Sequence, residues 1–422
     1  MRLALASLPL VCGLLLTPLA QAATAPSHAF LSELEHAGEG GPFAELRGRQ
    51  RQLLVQRLRQ AAQPFDQHGI EHVRQGAPLA DEAWLGSQGY DFAKAPLQQA
   101  DIQLLEGFRH LPASLLTAST ATVARINHDA SPALQDRAVL DAEGIAYLYY
   151  LADALGPRLG NAFLDAYEEG KLGKAAALIK ASEVSTAPAK QHFDYPRPFL
   201  RLEKPVTLVA DRVVLANGVP YTASAGAFPS GHTTVGYTDS LLLAAMLPER
   251  AAALLARGAG YGYSRQVLGV HYPLDVIGGR MIAQYNVAHY LADPRYRQLF
   301  DEARDQLRTA LTQACGVALD QCAADVGAQD PWDGASARTF ARYTLDYGLP
   351  AAHAGSDPVT VPERALVLAE PLLPQVSTAQ RQQRLSKADS AAELGLDTAG
   401  KGQWQRLDLL GALAPLDSGQ RR

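Results

Sequence analysis

The sequence predicts an all-α protein. Ala and Leu recur three and four residues apart through most of its 422 residues, aromatic residues supply only 7%, and prolines fall at intervals that suit breaks between helices. At 47% hydrophobic and 19% charged, the chain has the apolar material for a large core. The formal charge of −5, with no block of like charges, excludes attraction of the whole molecule to nucleic acid or acidic lipid.

Residues 1–22 read as an export signal. Arg2 is the positive start, Leu3 to Leu19 the apolar stretch and Ala20-Gln21-Ala22 the small-residue cleavage site, so the mature chain would begin near Ala23, in the periplasm or secreted. Pro9, Gly13 and Pro18 interrupt the apolar stretch and argue against a membrane anchor. From Phe30 to Gln63, Leu31, Leu34, Leu53, Leu54 and Leu58 among Arg, Gln and Glu predict amphipathic helices that form a surface or an N-terminal brace. A longer helical block, Leu97 to Ser182, is broken at Pro112, Pro132 and Pro157 and reads as scaffold.

Between residues 183 and 229, Pro188, Pro196, Pro198, Pro205, Gly218, Pro220 and Pro229 exclude a long helix, and Val206 to Leu215 suits a short extended piece along a cleft wall. Helices resume after Pro229, near Ala251 and over Val270 to Leu291. No later segment holds about eighteen uninterrupted apolar residues, so no span is expected in the mature chain. The organisation is thus 1–22 signal, 23–310 helical domain and 311–422 C-terminal extension of unassigned role. Cys315 and Cys322 would close a small loop in an oxidising compartment and stay free thiols in a reducing one, and their spacing suits no metal knuckle. Oligomeric state leaves no mark in the sequence.

Three segments carry chemistry: Lys190-Gln191-His192-Phe193-Asp194-Tyr195-Pro196-Arg197-Pro198, Pro229-Ser230-Gly231-His232, and Ser264-Arg265 followed by His271-Tyr272-Pro273-Leu274-Asp275. A bound phosphate needs several donors at once. Lys190, Arg197 and Arg265 supply point charge and planar forks, while Ser230 and Gly231 stand where a helix begins and its free amides point toward an anion. Any one of these cations alone would read as a solvated surface charge. His271 and Asp275, four apart, fit a ring whose tautomer is set by a carboxylate and whose other nitrogen attacks phosphorus. His232 is then the general acid and base, protonated beside bound phosphate while His271 is neutral, which predicts a bell-shaped pH profile. His192 falls within the first segment and is a further candidate substrate contact.

These residues resemble the signature of the type 2 phosphatidic acid phosphatase (PAP2) superfamily: Lys, six residues, Arg-Pro; Pro-Ser-Gly-His; Ser-Arg, five residues, His, three residues, Asp. No signature position is substituted. The superfamily includes bacterial class A non-specific acid phosphatases, membrane lipid phosphatases and vanadium-dependent haloperoxidases. The resemblance implies a helical bundle, a phosphohistidine at His271, acid and base duty at His232, and phosphate ligands Lys190, Arg197, Ser230, Gly231 and Arg265. It implies small phosphate esters as substrates, no required metal or cofactor, and vanadate as a phosphate analogue. Residues 311–422 have no counterpart in the shorter class A enzymes, although Trp404 to Leu409 is similar to C-terminal segments of longer bacterial members. The same site in a haloperoxidase would hold vanadate and oxidise halide, and in a lipid phosphatase or phosphotransferase would act on other esters; phosphate binding without turnover would sit better with a lost His271 or Asp275.

Overall fold

A computed structural model describes residues 27–414, except 75, 202–205, 328–329, 353–358, 388–390 and 398–402; residues 1–22, expected to be an export signal, lie outside the described residues. Nine helices precede the proline-rich segment, α1 (Ser27–Ala37), α2 (Gly41–Ala61), α3 (Gln67–Val73), α4 (Glu82–Ser87), α5 (Lys94–Leu104), α6 (Ala113–Asp129), α7 (Pro132–Glu143), α8 (Pro157–Glu168) and α9 (Gly173–Ser182), and a short one, α10 (Ala187–Phe193), lies within it. Four long ones follow: α11 (Gly231–Met246), α12 (Ala251–Val267), α13 (Pro273–Ala292) and α14 (Pro294–Cys315). Five short ones close the described chain: α15 (Leu319–Ala324), α16 (Ala335–Tyr343), α17 (Leu366–Leu372), α18 (Thr378–Lys387) and α19 (Leu409–Leu413). Strand pairing among the described residues is a single antiparallel bridge, Ala210 to Pro220, so the extended piece pairs at one point only. No helix among them is long and apolar enough to cross a membrane.

Local chemistry sets the helix ends. Ser131 caps Leu134 N–H at 3.2 Å ahead of Pro132, Asp293 caps Arg295 N–H at 2.8 Å ahead of Pro294, and Gly316 ends α14 at φ 67°, where a side chain would be strained. Helix α13 starts at Pro273 rather than Val270. Tyr272, at φ −80° and ψ 160°, is the residue before a proline and is held out of the helical region, so His271 stands just outside the helix instead of on its first turn.

Helices α11, α12 and α13 are buried on nearly all sides and form the centre, with α7 against α12 and α9 and α14 outside. Glycines permit the tight crossings. A Cβ on Gly236 would lie 2.4 Å from the Tyr261 ring, and one on Gly279 would lie 2.6 Å from the Ser230 carbonyl. The second approach presses α13 against the start of α11, where two signature segments meet. Helices α1 and α2 bury Phe30, Leu34, Leu46, Leu54 and Leu58, so the N-terminal brace joins the main core.

Residues beyond 310 are packed into the same core. The 310/311 division falls inside α14, Phe340 of α16 stacks on Phe30 at 4.5 Å, and Trp332 lies under the guanidinium groups of Arg137 and Arg257 at 5.0 and 5.4 Å. Arg280, buried on α13, donates to the Gln405 carbonyl at 2.7 Å, which ties the Trp404 to Leu409 segment to the helix that carries Asp275. Cys315 and Cys322 are joined by a disulfide.

Candidate active site

All eight signature side chains and glycines converge at the N-terminal ends of α11 and α13. Ser230 is the N-cap of α11. Its hydroxyl accepts from Thr233 N–H at 3.3 Å and from the Thr233 hydroxyl at 2.8 Å, leaving its own proton for another acceptor. The next two amides, Gly231 and His232, precede the first hydrogen bond of the helix ladder. A side chain at Gly231 would put its Cβ 2.9 Å from Thr186 Oγ1, so the backbone has to be bare there.

His271 is 2% exposed and Asp275 is fully buried. Asp275 Oδ2 lies 3.0 Å from His271 Nδ1 and also accepts Tyr272 N–H at 2.9 Å. Arg197 Nη1, 2.7 Å from His271 Nε2, donates to it. An ionised carboxylate on one side and a guanidinium N–H on the other leave one arrangement for a neutral ring: proton on Nδ1, lone pair on Nε2. Burial pushes the Asp275 carboxyl up to about 7, against the pull of the Tyr272 N–H and then Lys190 toward the ionised form.

The cations have different partners. Lys190 Nζ donates to the Gly226 carbonyl at 2.6 Å, and Arg197 Nε donates to the Ala225 carbonyl at 2.7 Å. Burial and then the neighbouring Arg197 push the Lys190 ammonium down to about 7, and burial pushes Arg197 down to about 10. Arg265, 1% exposed, donates from Nη2 to the Tyr221 hydroxyl at 3.0 Å, while its buried Nε and Nη1 have no protein acceptor. Each such donor costs about 1–3 kcal/mol until something accepts from it. A tetrahedral oxyanion would supply the acceptors.

His232 Nε2 faces the Ala142 carbonyl at 3.2 Å. A carbonyl only accepts, so Nε2 carries the proton and Nδ1 is the atom free to take another. Burial, then the positive field of Arg265 and Arg74, pushes the His232 pKa well below its ordinary value; burial and then Arg197 do the same to His271. Burial and that field favour the neutral form of both rings. A bound dianion has to offset that field before His232 can hold a second proton.

The cleft, about 460 Å³, is lined by Lys190, Arg197, Gly231, His232, Arg265 and His271, and by residues that motif reading missed, among them Arg74, Thr186 and Tyr221. Arg74 comes from the end of α3 and is paired with the buried Glu143 at the end of α7. Ser264 supports the site from behind, donating to Asp141 at 2.6 Å. His192 corrects an expectation: it pairs with Glu106 at 2.9 Å on the exposed side of α10 and does not line the cleft, because one helical residue separates it from Lys190 and turns it to the opposite face.

The pKa shifts carry a testable sign. Lys190 titrates lower folded than unfolded, so the unfolded chain binds more protons between about 7 and its usual value, and the fold loses stability as pH falls through that window. The two depressed histidines extend the loss below their ordinary pKa. Sulfate keeps a constant dianionic charge over this range, so its binding is expected to take up protons and to raise the melting temperature more at pH 6 than at pH 9. Equal shifts at the two pH values would refute the electrostatic reading.

A helical scaffold holding a carboxylate-set histidine in a cationic cleft defines the structural class of the protein. Residues 171–298 match the family model of the PAP2 superfamily. It is 36% identical over 126 residues to an acid phosphatase of Zymomonas mobilis, covering 30% of this chain and 45% of that protein. It is 28% identical over 164 residues to a non-specific acid phosphatase of Providencia stuartii, 37% of this chain and 63% of the relative, and 31% identical over 123 residues to one of Salmonella typhimurium, 29% and 46%. The matched segments thus span roughly half to under two thirds of these relatives.

Proposed function

We propose that the protein is an exported acid phosphatase that hydrolyses phosphomonoesters through a phosphohistidine at His271, with His232 as general acid and base. The observation that carries this reading is the His271 ring, held by Asp275 at Nδ1 and presenting Nε2 to the cations of the cleft. An incoming phosphate takes over the Arg197 N–H as acceptor, which frees the Nε2 lone pair beside phosphorus. Lys190, Arg265, the Ser230 hydroxyl and the first amides of α11 gather the remaining oxygens. His232, charged once the dianion is bound, protonates the departing alkoxide and afterwards activates water against the phosphohistidine. Asp275, in its ionised form, stabilises the ring that becomes cationic. The reading uses no metal or cofactor, and the disulfide suits export to the periplasm or beyond.

The deciding experiment is p-nitrophenyl phosphate hydrolysis by the mature protein at mildly acidic pH, with vanadate as inhibitor and a vanadate-loaded bromide oxidation assay alongside. Phosphate release blocked by micromolar vanadate is the expected result. Halide oxidation without hydrolysis would transfer the site to haloperoxidase chemistry.

The His232→Ala variant separates the two histidines. Because p-nitrophenolate leaves without a proton, this variant is expected to release one equivalent of p-nitrophenol in a burst and then stall by about 10²-fold or more in steady turnover. A steady rate like that of the unmodified protein would remove His232 from the chemistry.

A further inference from the structure

Arg74 reaches the cleft from α3, outside the segment that matches the superfamily. Its Nη2 is paired with Glu143, and its guanidinium lies 5.8 Å from the centre of the Tyr221 ring, which carries Arg265 at 5.1 Å. Its Nε is buried with no acceptor among the described residues. Arg265 and Arg74 are, in that order, the cations that act most strongly on His232. If Arg265 serves the transferred phosphoryl group, Arg74 is the neighbouring cation on the side of the group that His232 protonates.

We propose that Arg74 binds a second anionic group carried by the leaving group, so that phosphoanhydrides such as inorganic diphosphate and nucleoside diphosphates are favoured substrates of this site. The proposal rests on the phosphatase reading and deepens it. Two acidic side chains line the same part of the cleft. Glu183 is bound to Lys180 at 2.7 Å, and Glu71 is exposed and acts on Arg74 less strongly than Glu143, which alone of the three pairs with the guanidinium directly. The Glu143 pair orients the fork and leaves Nε without an acceptor among the described residues, and both guanidinium groups lie against the Tyr221 ring, near one ligand.

The reaction balances without a further reactant. His271 Nε2 attacks the terminal phosphorus, the bond from that phosphorus to the bridging oxygen breaks, and the electron pair leaves on that oxygen. For inorganic diphosphate the departing group is orthophosphate, held by Arg74; for a nucleoside diphosphate it is the monophosphate. Water then attacks the phosphohistidine, releases orthophosphate and restores the neutral ring.

The test compares diphosphate with orthophosphate in calorimetric binding, and diphosphate with p-nitrophenyl phosphate in kcat/KM. Three proteins are used: the unmodified chain, Arg74→Lys, and the double variant Arg74→Gln/Glu143→Gln, which leaves no lone buried charge. The unmodified chain is expected to bind diphosphate at least about tenfold more tightly than orthophosphate, and each variant to lose most of that advantage. The kcat/KM ratio of diphosphate to p-nitrophenyl phosphate is expected to fall by about tenfold, chiefly through KM. Circular dichroism establishes that each variant is folded. Equal affinity of the unmodified chain for the two anions overturns the proposal without any variant, and so does an unchanged ratio in both folded variants. Absence of p-nitrophenyl phosphate hydrolysis by the unmodified chain would defeat the phosphatase reading instead, while the binding comparison would still decide whether Arg74 holds a second anionic group.

Discussion

His271→Ala is expected to abolish steady hydrolysis and the p-nitrophenol burst together, lowering kcat by about 10⁴-fold or more. The size follows from the geometry. Without the ring, Arg197 loses the acceptor at 2.7 Å, Asp275 keeps only the Tyr272 N–H among its present partners on Oδ2, and no other nitrogen lone pair stands at that point of the cleft. His232 does not substitute for it, because its Nε2 N–H is held by the Ala142 carbonyl and its Nδ1 takes the second proton once the dianion is bound. The variant should still bind sulfate, since the cations and the helix amides remain, so a melting-temperature shift by sulfate distinguishes loss of chemistry from loss of the site. Steady turnover within tenfold of the unmodified protein would refute the nucleophile assignment.

Asp275→Asn should cost nearly as much, about 10³–10⁴-fold in kcat, with little change in fold. A carboxylate only accepts, and so it keeps the His271 proton on Nδ1. An amide that turns its NH₂ toward Nδ1 drives the proton to Nε2, which removes the attacking lone pair and sets two N–H groups, those of Nε2 and Arg197, against each other. The same Oδ2 position meets the Tyr272 N–H, so the turned amide gives up that acceptor and loosens the first turn of α13, whereas an unturned amide keeps both contacts and the original tautomer. Nitrogen chemical shifts of the His271 ring check the cause directly: the protonated atom should move from Nδ1 to Nε2. Unchanged tautomer with lost activity would mean that Asp275 acts by charge rather than by orientation.

Much of the architecture was legible in the chain because its signals are local. Prolines at 132, 157 and 273 each begin a helix at the first position, where the missing N–H costs nothing, and Ser131 and Ser230 cap the helices that follow them. The His271 and Asp275 pair was legible for the same reason: four residues is a distance that backbone geometry bridges by itself. His192 misled because membership of a signature segment says nothing about which face of a helix a residue occupies, and in α10 the cleft lies on the face of Lys190. The Val270 start of α13 was displaced by Pro273, whose restraint on Tyr272 outweighed the apolar periodicity.

The sequence by itself determined the helical class, the order of the three signature segments and the chemistry available to them, since these depend on residue type and on spacings within one or two turns. Tertiary structure alone decided that Arg74 and Tyr221 line the cleft, that the Ala142 carbonyl sets the His232 proton, and that the chain beyond residue 310 closes over Phe30 and Arg280. Those contacts join residues separated by tens to hundreds of positions. They carry no period and no motif, because they come from the way whole helices bury their apolar faces against one another.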